Sequence, residues 1–181
     1  ELGAHEKKNP GKLNYGTSGI GSVPHLAVVA LAKAANIDVF HVPHKGEADA
    51  LASILGGHIT MFVSHPTFMT AHADKIRALF VLAPNRLPDH PNVPTIVEQG
   101  GPALSFEVWG GLAVPKGTPA PVLAALENAC KVATSSEAFT KQMQGLQTPV
   151  KYLDGKSFAS FVAAEFERNG RLLRESGIPK E

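Results

Sequence analysis

The chain has 181 residues and a mass of 19.1 kDa, room for one ordinary domain or two small lobes at about 150 residues per domain. Apolar residues make up 44% and charged residues 18%, which excludes a disordered polyelectrolyte and supplies a core. The net charge of +1 gives no field to hold nucleic acid or an anionic membrane surface. A single cysteine, Cys130, excludes an internal disulfide and any multi-cysteine zinc or iron–sulfur site. No apolar run approaches the ~20 residues needed to span a bilayer, and Glu1 to Lys12 is polar, without a signal-peptide segment. The expectation is a soluble chain, or the mature part of one.

Short β-rich runs, Gly or Pro punctuation and amphipathic helices alternate, the pattern of an α/β sheet. Leu13 to Tyr15 reads as a first strand and Gly16 to Ser22 (GTSGIGS) as a turn. Pro24 to Ala35 then reads as a helix capped by Ser22, with Pro24 where a missing N–H costs nothing. Ile37 to His41 alternates as a strand, Pro43 to Gly46 is a loop, Glu47 to Leu55 a helix ended by Gly56 and Gly57, and Ile59 to Val63 another strand. After a short helix near Thr67 to Ala73, Ile76 to Ala83 reads as a strand buried on both faces. Four prolines make Pro84 to Pro94 an irregular loop or linker. Phe106 to Val114 alternates as a strand. A helix from Pro121 then places Leu123, Leu126, Cys130 and Ala133 on one face. Ser136 to Gln144 is a further helix. The last, Ser157 to Ser176, puts Phe158, Phe161, Val162 and Phe166 on one stripe, with Arg168, Arg171 and Arg174 towards its C-terminal end.

GTSGIGS carries the most chemistry. Glycines at 16, 19 and 21 let the backbone approach a ligand while the following helix aims free N–H groups at the same place, and Thr17, Ser18 and Ser22 add hydroxyls. The loop suits a carboxylate or phosphate; it equally suits a tight turn with an ordinary Ser cap. Enzyme versions fail on spacing. Gly-x-Ser-x-Gly is broken by Ile20, no Gly-Lys-Ser/Thr follows, and the intervals of Gly-x-Gly-x-x-Gly are reversed. His41 and His44 sit three apart but flank Pro43, so a metal site is a weak reading beside a His41 satisfied by a backbone partner. Lys45 and Gly46 follow one strand and Ser64 and His65 the next, so loops from three strands are expected at one rim, where open α/β sheets bind ligands. Cys130 reads as a core hydrophobe and Trp109 as a core anchor, or else as an aromatic wall of a cleft.

Several blocks in order carry a family resemblance: KLNYGTSGIGSVPHLA (12–27), HVPHKGEADALASILGGHI (41–59), KIRAL (75–79), DHPNVPTIVEQG (89–100), VWGGLAVPKGTPAPVLAALENA (108–129) and a closing helix with SGI at Ser176 to Ile178. Together they resemble the Bug-type extracytoplasmic solute receptors of tripartite tricarboxylate transport systems, over about the whole chain. The resemblance implies an α/β, type II periplasmic-binding-protein-like fold, with one complete lobe and the C-terminal half of a second. Residues 12–106 would be the second, ligand-binding lobe, 107–181 the C-terminal portion of the first, and 1–11 a remnant of the preceding helix. The start of the chain resembles the inside of the family sequence, so a truncated or partial chain is expected.

The resemblance implies a periplasmic receptor, not an enzyme, with neither metal nor other cofactor. Its partners would be a small carboxylate solute, membrane transporter subunits and a second copy of itself through the exposed surface of the first lobe, with no nucleic acid. Thr17, Ser18, Gly19, Gly21 and Ser22 would hold the carboxylate. Lys45 and Gly46 match the family's Tyr-Lys-Gly loop, with His44 at the Tyr position, and Ser64-His65 stands where the family often has Asp-Asn. Loss of that acid points to a plain carboxylate over an amino acid. Two rival classes stand beside this: an effector-sensing domain of a transcription regulator with the same fold, and a carboxylate-processing enzyme with His65 or His41 as its base.

Overall fold

The computed structural model describes residues 2–9 and 11–175. They divide into two compact units, one of the described residues up to Val108 together with those from Asn169 onward, the other of residues 109–168.

The first unit is built on a three-stranded parallel sheet in the order β2-β1-β3. After α1 (Leu2–Lys8), β1 (Asn14–Thr17) takes the centre, with β2 (Phe40–Pro43) and β3 (Met61–Phe62) on its flanks. Tyr15 pairs with His41 on one side and Met61 on the other; Gly16 faces Val42 and Phe62. Two crossover helices make this parallel arrangement possible. The first, α2 (Val23–Ala35), starts at Ser22, whose Oγ accepts the His25 N–H, and stops at Asn36, left-handed at φ 49°. The second, α3 (Glu47–Leu55), has the bounds that its pattern predicts. Leu13, Tyr15, Leu26, Ala27, Val28, Leu31, Ala50 and Ile59 form the core between sheet and helices. The chain passes from β1 to β2 on one side and returns to β3 on the other, so the strand order reverses at β1, the switch point where open parallel sheets bind ligands.

A short helix, α4 (Pro66–Ala71), follows β3. Ile76 to Ala83 is not the expected strand. It makes one bridge, Val81 with Thr95, and isolated bonds from the Val81 N–H to the Pro94 carbonyl and from the Phe106 N–H to the Leu82 carbonyl. Its neighbour is the proline-rich loop, whose missing N–H groups cannot extend a ladder. That loop is held instead by Arg86, whose Nε donates to both Glu98 oxygens at 3.0 and 2.9 Å and whose Nη1 donates to the Pro91 carbonyl. The bonds from Arg86 and from the Thr95 N–H hold the Glu98 carboxyl down to about 2.

The second unit contains α5 (Ala120–Thr134), α6 (Glu137–Gly145) and most of α7 (Gly155–Glu175). The helices form as their patterns predict, with Ser136 capping α6 through a bond from the Phe139 N–H, but the burial does not. Phe106 to Val114 is no strand; Val108 is 76% exposed and Trp109 43%. Trp109 is therefore no core anchor. It packs edge-on against Phe158 and Phe161 with ring centroids 5.5 and 5.8 Å apart. Cys130 is half-buried, not core, since α5 buries no residue, and Phe166 at the end of the aromatic stripe is 75% exposed. Among the described residues of this unit only Glu165 is buried, paired with Arg168 at 2.6 Å. Amphipathic periodicity marks a face to be covered and does not say by what. The SGI at Ser176 to Ile178 lies outside the described residues.

Close approach at the centre of the sheet generates a test. A Cβ on Gly16 would collide with the buried Ile59 Cδ1 and press on the His44 ring. Gly16→Ala should lower the urea unfolding free energy by about 1–3 kcal/mol, and Ile59→Val, which removes that methyl, should recover part of the loss in the double variant. An uncoupled, additive pair would show that the contact is absent.

Candidate functional site

The parallel sheet brings the C-terminal ends of its three strands to one edge, and with them the sequence-predicted residues. Thr17 ends β1 and Ser18 to Ser22 follow it, His44 to Gly46 follow β2, and Ser64 and His65 follow β3. The first two groups are bonded together: the His44 N–H donates to the Thr17 carbonyl at 3.1 Å. Ser64 and His65 share the edge, with His65 Nδ1 3.3 Å from Thr67 Oγ1. Lys45 is exposed and, among the described residues, makes no ion pair. His44 Nδ1 and Ser64 Oγ are buried polar atoms with no hydrogen-bond partner among the described residues, so two uncommitted polar groups stand at this edge.

The glycine corner itself is open on one side. Gly19 at φ 134° and Gly21 at φ 74° take conformations that other residues rarely adopt. The Gly19 N–H points to Thr17 Oγ1 at 3.3 Å, the Gly21 N–H to His25 Nδ1 at 2.9 Å and the Ser22 N–H to the Gly19 carbonyl at 3.4 Å. Ser22 Oγ donates to the Gly19 carbonyl at 2.8 Å and also receives the His25 N–H, so its hydroxyl serves the cap. Among the described residues the N–H groups of Ser18, Ile20 and Val23 have no protein acceptor. These three donors are interspersed among the internally bonded ones around the head of α2, where the helix dipole favours a negative charge.

Beneath the corner lies a stack that sequence reasoning did not foresee. His25 and His41 lie face to face with centroids 3.9 Å apart and planes at 17°, and Tyr15 stacks on His41 at 4.9 Å. His41 is not satisfied by a backbone group as expected; its Nε2 lies 2.7 Å from Thr17 Oγ1, a fully buried hydroxyl. Burial pushes the His25 imidazole below its ordinary range. His41 falls to about 4, first through burial and then through the charges of His25 and His44, and burial pushes the Tyr15 phenol up to about 12. The one signal in the sequence was Ser22-x-x-His25, a capping-box spacing with histidine in place of Glu or Gln. Among the described residues no group of three or more His, Cys, Asp or Glu is placed to hold a metal.

The family model described as TctC, tripartite tricarboxylate transporter family receptor, matches residues 1–178. The chain belongs to this family. A UPF0065 protein of Bordetella pertussis is 30% identical over 98% of this TctC-family chain, which spans 56% of that protein's length. The periplasmic binding protein BugD has a similar structure, with a TM-score of 0.80 at 26% identity over 99% of this chain and 62% of that one. The fold is likewise shared with Rpa4515 of R. palustris, solved with adipate, with a TM-score of 0.85 at 24% identity over 97% of this chain and 60% of the other. The α/β fold is thus that of the TctC and Bug periplasmic binding proteins, and the chain spans about 60% of these solved structures. No described helix is long and apolar enough to cross a membrane.

The stacked histidines make stability depend on pH. With His41 lowered from the ordinary 6.5 to about 4, the unfolded chain binds more protons between those values, so stability is full above pH 6.5 and is lost as pH falls towards 4. The half-buried His41 contributes at most about 3 kcal/mol to this loss. Urea unfolding at pH 7 and pH 4.5 measures it, and His41→Asn should flatten the difference. An unchanged slope in that variant would assign the acid loss to other groups.

Proposed function

We propose that this chain is the ligand-binding portion of a periplasmic receptor that captures a small carboxylate, without transforming it, for a tripartite tricarboxylate-type transporter in the membrane. The observation that carries the reading is the set of uncommitted N–H groups of Ser18, Ile20 and Val23 at a glycine corner ahead of α2, in a chain of the TctC family. Thr17, Ser18, Gly19, Gly21 and Ser22 form the carboxylate cradle, Lys45 and Gly46 line it from the next loop, and Ser64 and His65 supply its third wall. The bound adipate of the R. palustris protein supports a carboxylated ligand. With Ser64 in the place of an acid, the cradle offers no partner for an ammonium, which favours a plain carboxylate. Residues 12–106 act as the second lobe of the receptor and 107–181 as part of the first. The family model favours a receptor over the effector domain of a transcription regulator. An enzyme reading has only His41 and His65, and His41 is held against Thr17 Oγ1 beneath the corner.

Two or three charge-assisted hydrogen bonds contribute roughly 3–9 kcal/mol and the helix dipole up to ~1. Association costs at least ~4 kcal/mol of this. Binding by one lobe therefore lies in the millimolar range or weaker, and micromolar affinity, about −8 kcal/mol, needs an opposing surface that excludes water. Calorimetry with adipate and a panel of other di- and tricarboxylates should give millimolar dissociation constants, weakened several-fold in Lys45→Ala and lost in Gly19→Val. No saturable binding of any of them overturns the reading; sub-micromolar binding by a demonstrated monomer overturns the one-lobe energetics.

The second unit buries one residue among those described and exposes Leu112, Leu123, Val132 and Phe166. Such an apolar surface favours association with another copy. Light scattering at micromolar concentration should show a dimer or larger assembly that Phe166→Glu shifts towards monomer. A monodisperse wild-type monomer refutes self-association.

A further inference from the structure

We propose that His25 is a positioning residue, an uncharged hydrogen-bond acceptor that holds the glycine corner in its anion-binding shape and lets go of it when protonated. The inference rests on the reading of the corner as a carboxylate site.

The geometry is a variant of the capping box whose return bond is displaced by one residue. Ser22 Oγ accepts the N–H of His25, three residues on, and the His25 side chain reaches back to accept the Gly21 N–H at 2.9 Å. In the ordinary capping box a Glu or Gln at the third helical position accepts the N–H of the cap residue itself; here the Ser22 N–H goes to the Gly19 carbonyl and His25 takes the N–H one residue earlier. A Glu at residue 25 would set a full negative charge beside the donors that the incoming carboxylate needs. A neutral imidazole accepts the same N–H with no charge, and His25 is buried, 5% exposed as a residue, so water does not substitute for it. Because a backbone N–H can only donate, Nδ1 must be unprotonated and the ring hydrogen of neutral His25 must sit on Nε2. The clamp fixes the left-handed turn at Gly21, and that turn leaves the N–H groups of Ile20 and Val23, on either side of it, without a protein acceptor.

Protonation reverses each of these features. The imidazolium presents N–H on both nitrogens, so Nδ1 opposes the Gly21 N–H as donor against donor. The described residues around it offer the new charge no counterion: Tyr15 faces it from β1, His41 stacks on it from β2, and His44 follows at the end of that strand. The first-turn acids of α3, Glu47 and Asp49, act on neither ring. Burial already holds both imidazoles towards the neutral form.

Three substitutions separate positioning from a merely structural role, with adipate as the probe and the full chain as the protein. His25→Asn keeps a side-chain acceptor near the Nδ1 position and cannot titrate; at pH 7.5 it should bind adipate within about threefold of wild type. His25→Asp keeps the acceptor and adds a charge that suits a helix N-terminus, so it should unfold at no lower urea concentration than His25→Asn while binding adipate at least tenfold more weakly. His25→Leu loses the acceptor and should bind at least tenfold more weakly. Between pH 7.5 and 5 the ratio of wild-type to His25→Asn affinity should fall, a ratio from which adipate's own protonation cancels. Equal affinity of the Asp and Asn variants, or a ratio constant with pH, overturns the proposal. Without any ligand, the Gly21 amide resonance should move with the His25 ring as it titrates, and independence of the two overturns the clamp. If wild type binds neither adipate nor any other carboxylate of the panel, the carboxylate reading fails by itself, and the linked Gly21 and His25 titrations decide the clamp alone.

Discussion

Thr17 pins the edge at which the three strands of the sheet end. It is the last residue of the central strand, fully buried, and its single hydroxyl lies within bonding distance of the Gly19 backbone and the His41 ring, while its carbonyl accepts the N–H of His44. One side chain therefore ties the glycine corner to the neighbouring strand and to the loop beyond it. A buried hydroxyl without partners would cost 1–3 kcal/mol; with all of them met, Thr17 instead holds two loops in register. The corner can leave donors facing outward only because its other half is bonded inward on this pin.

The same arrangement explains the mixture of engaged and free amides. A corner in which every N–H pointed outward would have no internal bonds to hold its two left-handed glycines in place, and would close or disorder. A corner with every N–H satisfied would be a turn and nothing more. Here Gly19, Gly21 and Ser22 provide the internal bonds while Ser18, Ile20 and Val23 do not. The two readings left open by the sequence, cradle or capped turn, are thus not exclusive: the Ser22 cap is real, and it is part of what keeps the remaining donors apart.

How much could be read beforehand follows from what each signal depends on. The bounds of α3 and the cap of α2 were legible because they are local, set by Glu47 to Leu55 and by Ser22 with the helix that follows it. Strand existence was legible where two crossover helices force parallel pairing, though β2 is shifted to Phe40–Pro43. Ile76 to Ala83 and Phe106 to Val114 were misread because a strand is defined by its neighbours, and alternation or an apolar run carries no information about whether a ladder exists. Trp109 and Cys130 failed for a related reason: their apolar character was right, but burial is a property of the packing partner. The rim residues were legible from topology, since a loop after a parallel strand must lie at the C-terminal edge. His25 was not, because its role requires a side chain to turn back past its own cap, and the sequence offers only a spacing that usually carries Glu or Gln.

The choice of residues around the corner has a common electrostatic logic. An anion site needs positive potential, yet the groups packed under it, Tyr15, Thr17, His25 and His41, are all neutral at pH 7, and the exposed Lys45 is the one cation on the loop after β2. Burying a lysine or arginine beneath the corner would cost several kcal/mol of desolvation unless paired, and its paired acid would cancel the field. Backbone N–H groups and a helix terminus supply the potential without burying any charge. The neutral imidazole of His25 then accepts the Gly21 N–H without setting a charge against that potential. In the proposed anion site the histidine stack is in this sense a consequence of drawing the potential from main-chain dipoles, and its sensitivity to acid follows from the same neutrality.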